Sequence, residues 1–156
     1  MKTILLTAAL DRRHGKGRIG SRIGLSADAF VFSNTTDMVA LISDHLGQTL
    51  INCVLVDEAQ FLTDDQVWQL AEIVDEMNIP VMCYGLRTDF QGNMFPGSAR
   101  LLAIADDLRE IRTICHCGRK ATMVVRQNAA GKIIRDGAQV EIGGNEKYIS
   151  LCRSHA

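Results

Sequence analysis

The chain has 156 residues, 47% of them apolar, and a formal charge of −1 from 17 basic and 18 acidic side chains. That length is room for one core domain with a small appendage, and that apolar content excludes a disordered chain. A pI near 6.4 leaves no basic footprint for nucleic acid, and no apolar run approaches the roughly 20 residues of a membrane span. Five cysteines make an odd number; without an even disulfide framework they point to a reducing compartment, the cytoplasm.

Met1 to Leu10 imitates a secretory signal, but the apolar run is short and Asp11-Arg12-Arg13-His14 follows at once, so Lys2 to Thr7 reads as a buried strand. Asp11 to Gly24 is a polar loop. Within it, Gly15-Lys16-Gly17-Arg18-Ile19-Gly20 meets the G-x-G-x-x-G spacing but neither leaves a strand directly nor opens a helix, so a dinucleotide site is rejected. A basic loop near phosphates and a plain solvated loop both remain open. Phe30 to Phe32 reads as a short strand. Thr35 or Thr36 is expected to cap a helix whose Met38, Leu41, Ile42 and Leu46 share a face and which Gly47 ends.

The stretch Leu50 to Phe61 organises the rest. Cys53 to Val56 is a continuous apolar run, the signature of a strand buried on both faces of a parallel sheet. Asp57 and Glu58 follow where that strand ends, and open α/β sheets collect ligands beyond the carboxyl ends of their strands. Two acids there suit Mg²⁺ handling and base catalysis in a nucleotide-using enzyme; the plainer reading is a strand that ends in a polar turn.

Thr63-Asp64-Asp65-Gln66 is a capping box. It opens a helix with Val67, Leu70, Ala71, Val74 and Met77 on one face, closed by Asn78. Ile79 to Tyr84 is another apolar strand, Leu86 to Gly97 a long loop, Ser98 to about Asp106 a helix, and Glu110 to Ile114 a returning strand. Strands alternating with helices at this spacing predict a parallel, doubly wound sheet over residues 1–114. From 115 to 156 short β-like runs (Met123 to Val125, Lys132 to Ile134, Gln139 to Ile142, Tyr148 to Leu151) form a small β-rich domain.

Cys115-His116-Cys117 opens that domain and Cys152-Arg153-Ser154-His155 closes it. Three thiolates and an imidazole suit tetrahedral Zn²⁺, and a domain with little core of its own gains from a metal staple. The first pair is C-x-C rather than C-x-x-C, which leaves open two free thiols at a strand end, or His116 in place of His155. Cys53 and Cys83 lie in apolar strands and read as core residues.

These pieces together resemble the type II thymidine kinases, the cytosolic zinc-containing family, over nearly the whole chain. The resemblance rests on Thr7-Ala8-Ala9-Leu10-Asp11, Ser21-Arg22-Ile23-Gly24, Val56-Asp57-Glu58-Ala59-Gln60-Phe61, Tyr84-Gly85-Leu86-Arg87-Thr88-Asp89-Phe90, Ile142-Gly143-Gly144-Asn145-Glu146-Lys147-Tyr148 and the Cys/His knuckles. It implies a RecA-like, P-loop-type parallel sheet with a zinc-binding β domain, and ATP-dependent phosphorylation of the thymidine 5′-hydroxyl.

By the same resemblance Glu58 is the general base and Asp57 positions Mg²⁺. Ala59, Gln60, Asp11 and Arg13 join these two in the Mg²⁺ and ATP contacts. Leu86, Phe90 and Phe95 line the thymine pocket, and Val140, Glu141, Ile142, Gly143, Gly144 and Tyr148 belong to a lasso loop that closes over the base. Glu141 stands where the family usually has an apolar residue. Cys115, Cys117, Cys152 and His155 match the zinc ligands. The family is typically tetrameric and inhibited by thymidine triphosphate; no nucleic-acid or membrane partner is implied.

One departure is large. Family members begin with a strand and a G-x-x-x-x-G-K-[ST] phosphate loop, and no such run occurs in this sequence. Met1 falls where the family has its second strand, as in a chain started too late or truncated. The expectation is a missing strand beside the Asp57 strand, poor solubility and negligible turnover. The competing readings are a non-catalytic nucleoside-binding remnant, and a RecA-like or zinc-ribbon module acting on nucleic acid, which near-neutral charge and the lack of a basic aromatic stripe disfavour.

Overall fold

The computed structural model describes residues 2–9, 18–20, 26–137, 139 and 147–156. They group into two compact units, Met1–Leu86 with Pro96–Ala103, and Arg87–Phe95 with Ile104–Ala156. The second unit thus begins before the boundary at 115 read from the sequence and takes in the loop 87–95.

The first unit contains strands β1 (Thr3–Ala8), β2 (Arg18–Gly20), β3 (Ser26–Asp28), β4 (Phe30–Phe32), β5 (Cys53–Val56) and β6 (Val81–Cys83), with helices α1 (Met38–Leu46), α2 (Asp64–Met77) and α3 (Pro96–Ile104). Four strands form a parallel sheet in the order β4-β1-β5-β6. Ile4 lies opposite Val54 and Leu6 opposite Val56. Cys53, Val54 and Val56 are buried, as a continuous apolar run in the middle of a parallel sheet requires. β5 has β1 on one side and β6 on the other, and the described sheet has its edges at β4 and β6.

Several local expectations need correction. Arg18–Gly20 is not loop: it pairs antiparallel with Ser26–Asp28. The cap of α1 is Asp37, whose carboxylate accepts the Ala40 N–H at 2.9 Å; Thr36 instead accepts the Ser33 N–H. Gly47 ends α1 in a right-handed conformation, φ −61°.

The capping box of α2 forms as expected, Thr63 and Gln66 each accepting from the other's backbone N–H at 3.1 Å. Asn78 closes the helix at φ 54°. Its buried face is Val67, Leu70 and Ile73, so the stripe is rotated toward Ile73, and Ala71, Val74 and Met77 are only partly covered. α3 starts at Pro96, where a missing N–H is harmless in the first turn.

In the second unit β7 (Thr113–Ile114) pairs antiparallel with β8 (Lys120–Ala121). The expected Glu110 to Ile114 strand of the parallel sheet is therefore two residues of a small ribbon. The whole run is exposed, Ile111 and Ile114 included, unlike the buried β5, and Glu110 forms an ion pair with Lys120. β9 (Met123–Gln127) sits between β10 (Ile133–Ile134) and β11 (Lys147–Leu151), both antiparallel. The small core is Cys115, Val125, Leu151 and Cys152, with Ala121, Ile133, Ile149 and Ala156 packed on it. The strand expected from Gln139 to Ile142 lies, apart from Gln139, outside the described residues.

Candidate functional site

Beyond Val56 the ladder continues for one residue on one side, the Asp57 N–H donating to the Leu6 carbonyl at 2.8 Å. The chain then turns sharply. Glu58 takes left-handed backbone angles, φ 53° and ψ 40°, and leads into a 3₁₀ turn over Ala59–Phe61. The turn is pinned to the end of β6: the Tyr84 N–H donates to the Val56 carbonyl at 2.8 Å and the Ala59 N–H to the Tyr84 carbonyl at 2.9 Å. Asp57 and Glu58 keep partial solvent exposure, while Ala59 and Gln60 behind them are buried.

The side chain of Gln60 fills the space between the two strand ends. Its Nε2 donates to Glu58 Oε2 at 2.5 Å, and its Oε1 accepts the Leu86 N–H at 3.1 Å. The Leu86 carbonyl accepts from Ser98 Oγ at 2.6 Å. The close approach requires a glycine: a Cβ on Gly85 would sit 2.7 Å from Gln60 Oε1 and 2.9 Å from Gln60 N. Gly97 plays the same part at the start of α3, where a Cβ would come within 2.5 Å of the Leu62 carbonyl. Leu86 itself remains 42% exposed. Gly85, Gly97 and Ser98 were missed from the sequence; a glycine just past a strand and a Gly-Ser pair at a helix start were the signals.

In the second unit Phe90 and Phe95 are buried. Arg126, also buried, stacks its guanidinium 4.2 Å over the Phe90 ring and donates to the Asp136 carbonyl at 3.2 Å. Asp89 accepts the Gln91 and Asn93 N–H groups at 2.9 Å and the Gln139 side-chain amide at 3.0 Å. Tyr148, on β11, is exposed. Asp11, Arg13, Val140, Glu141, Ile142, Gly143 and Gly144 lie outside the described residues.

The metal donors converge. The ligand atoms of Cys115, Cys117, Cys152 and His155 all lie within 4.8 Å of one another. Cys117 Sγ is 3.8 Å from Cys152 Sγ, and His155 Nδ1 is 3.4 Å from Cys152 Sγ and 3.6 Å from Cys115 Sγ. A tetrahedron with metal–sulfur bonds of about 2.3 Å and a metal–nitrogen bond of about 2.0 Å has edges of about 3.8 Å and 3.5 Å, so this donor set fits a metal ion. His116 is not one of the four, although its Nδ1 lies 3.7 Å from Cys115 Sγ. The backbone N–H of Cys117 is the main cause that holds the Cys115 thiol down at about 7, and the Ser154 hydroxyl chiefly lowers that of Cys152. Both favour the thiolate that a metal needs.

A parallel α/β sheet with two acids beyond an inner strand, and a Cys₃His cluster that could hold a metal ion in a β-rich unit, are the features the relatives can be set beside. The family profile described as "Thymidine kinase" matches residues 1–156. A thymidine kinase of Ruegeria pomeroyi is 62% identical over 155 residues, covering 99% of this chain and 78% of the relative. Those of Rhizobium meliloti and Haemophilus influenzae are 62% and 55% identical, each over 99% of this chain and 80% of the relative. The chain belongs to the thymidine kinase family. Among the described residues no helix is long and apolar enough to cross a membrane.

Proposed function

We propose that this chain binds thymidine and directs the γ-phosphoryl group of ATP to its 5′-hydroxyl, with Glu58 as general base. The observation that carries the reading is a partly exposed carboxylate at the carboxyl end of β5, fixed by a buried amide, in a chain of this family. A primary hydroxyl is a weak nucleophile, and a carboxylate at hydrogen-bond distance contributes roughly 10²–10⁴-fold by removing its proton. Asp57 is next to it at the same strand end, suited to the Mg²⁺ that accompanies ATP and neutralises phosphate charge when bound. Ala59, Gln60, Asp11 and Arg13 complete the nucleotide side in this reading.

Leu86, Phe90 and Phe95 supply the apolar walls for the base, and Val140 to Gly144 with Tyr148 the loop that reads it. Cys115, Cys117, Cys152 and His155 hold a structural zinc. A homotetramer, inhibition by thymidine triphosphate and a cytoplasmic location complete the proposal; the free cysteines support the last of these. No G-x-x-x-x-G-K-[ST] run occurs in these residues, which favours a second reading in which they bind nucleoside with little phosphoryl transfer.

Calorimetry with thymidine and deoxyadenosine, beside an ATP-dependent phosphorylation assay, separates the readings. Thymidine is expected to bind in preference, and Glu58→Gln to keep that binding while any turnover falls by about 10²–10⁴-fold. Equal affinity for deoxyadenosine would remove the thymidine reading. Turnover unchanged in the variant would remove Glu58 from its role.

A further inference from the structure

We infer, resting on the thymidine kinase reading above, that Gln60 is a positioning residue: its buried amide aims the Glu58 carboxylate and ties it to the Leu86 backbone. One side chain then sets both the base and the edge of the nucleoside pocket. By family resemblance Gln60 is a nucleotide contact, yet it is 3% exposed and its amide is already engaged on both sides.

The orientation of that amide is fixed by its neighbours. With Nε2 on Glu58 Oε2 at 2.5 Å and Oε1 on the Leu86 N–H at 3.1 Å, each end meets its complement. Flipping the amide would set an oxygen against a carboxylate and an NH₂ against an N–H, losing both bonds. The bond to Glu58 is charge-assisted and short, the kind that holds geometry best. Leu86 is gripped at its other end as well, through Ser98 Oγ on its carbonyl at 2.6 Å. Space for this arrangement exists because residue 85 lacks a side chain.

Glu58 stands on a left-handed backbone beyond the end of the ladder and is partly exposed. A long side chain in such a place loses rotamer freedom with each bond it makes, and the Gln60 amide makes one from the buried side. A base must be within about 0.5 Å of its productive position, and groups locked by a supporting shell reach that accuracy. Because the same amide grips Leu86, a displacement at either strand end is felt at the other.

The test uses the full chain and two variants. Gln60→Glu keeps an acceptor for the Leu86 N–H but turns a carboxylate toward Glu58; Gln60→Leu removes both bonds. By NMR, the Gln60 side-chain amide protons of the unmodified chain are expected to exchange at least about tenfold more slowly than those of exposed Gln48. Thymidine should shift them further than 5′-deoxythymidine, which lacks the hydroxyl that Glu58 meets, and that difference should vanish in Glu58→Ala. In the kinase assay, Gln60→Glu should lower kcat by about tenfold or more with thymidine KM within about threefold, while Gln60→Leu moves both.

Gln60 amide protons that exchange as fast as those of Gln48 would overturn the inference. So would a Gln60→Glu variant that changes only the KM for ATP, which would make Gln60 a nucleotide contact. Failure of the thymidine kinase reading shows differently, as no thymidine binding by the unmodified chain while the amide protons stay protected.

Discussion

Glu58 and the metal donors are held in place by opposite means. In the first unit the sheet, with buried Leu6, Phe32, Val54 and Val56, exists apart from the acid pair, and Glu58 takes a bond from the buried Gln60 amide beyond the end of its strand. In the second unit Cys115, Val125, Leu151 and Cys152 form one buried cluster, and two of these four belong to the set that could hold a metal ion. The first fold makes its site; the second is completed by its site. The lesson concerns where damage spreads: a lesion at Glu58 should stay local, and a lesion at Cys152 should reach every strand of its unit.

The largest effect should come from the metal. Chelation, or Cys152→Ser, is expected to reduce zinc from about one per chain and to abolish protection of the β9–β11 ladder, while amides of β1 and β5 stay protected. Structural zinc is worth an apparent ~10–16 kcal/mol in peptides that fold only with metal, which bounds the loss from above. Hydrogen exchange with metal analysis is the measurement; β9–β11 protection that survives full removal of the metal would break the contrast.

A middle-sized effect belongs to the first unit. Gly85→Ala drives a Cβ to 2.7 Å from Gln60 Oε1 and 2.9 Å from Gln60 N, and the backbone nitrogen has no room to yield. Overpacking of this kind costs about 1–3 kcal/mol. Urea denaturation should show that loss, and thymidine affinity should fall with it because Leu86 shifts. Thr63→Ala is smaller, about 1 kcal/mol, the usual value of a lost helix cap; an unchanged midpoint would mean that the Gln66 bonds alone hold the start of α2.

The smallest effect is one of reactivity. Burial pushes the Cys83 thiol up to about 12. Only the thiolate is alkylated, so at pH 8 on the order of one molecule in 10⁴ carries the reactive form, and the rate should rise about tenfold per pH unit. Rapid iodoacetamide labelling of Cys83 at pH 8 in the folded chain would show that its surroundings do not hold the thiol protonated.

How much of this was legible in the sequence depends on whether a signal was local. The strand Cys53 to Val56 and the capping box Thr63 to Gln66 need only their own residues, and both appear where the pattern put them. The four metal donors were legible because knuckles at each end of a coreless segment have few other uses. The cap of α1 was not: Thr35, Thr36 and Asp37 are all good caps, and the geometry of the preceding turn chose Asp37. The strand at 110–114 failed because strand type depends on a partner, which the chain supplied at Lys120 and Ala121. The Gln60 contacts to Glu58 and Leu86 join positions two and 26 residues apart, and the longer of these leaves no periodic trace.

Two residues of the chain other than glycine share one unusual backbone shape among the described residues. Asn78 has φ 54° and ψ 37°, and Glu58 has φ 53° and ψ 40°. At the end of a helix the shape is filled by asparagine, a residue that tolerates it. At the strand end it is filled by glutamate, which does not favour it, at a cost on the order of 1 kcal/mol. Replacing Glu58 by glycine would relieve that strain but leave the buried Gln60 amide without its acceptor, a cost of about 1–3 kcal/mol. Melting of Glu58→Gly is therefore expected to fall or stay level, and a clear rise would mean that the backbone strain outweighs the hydrogen bond at this one position.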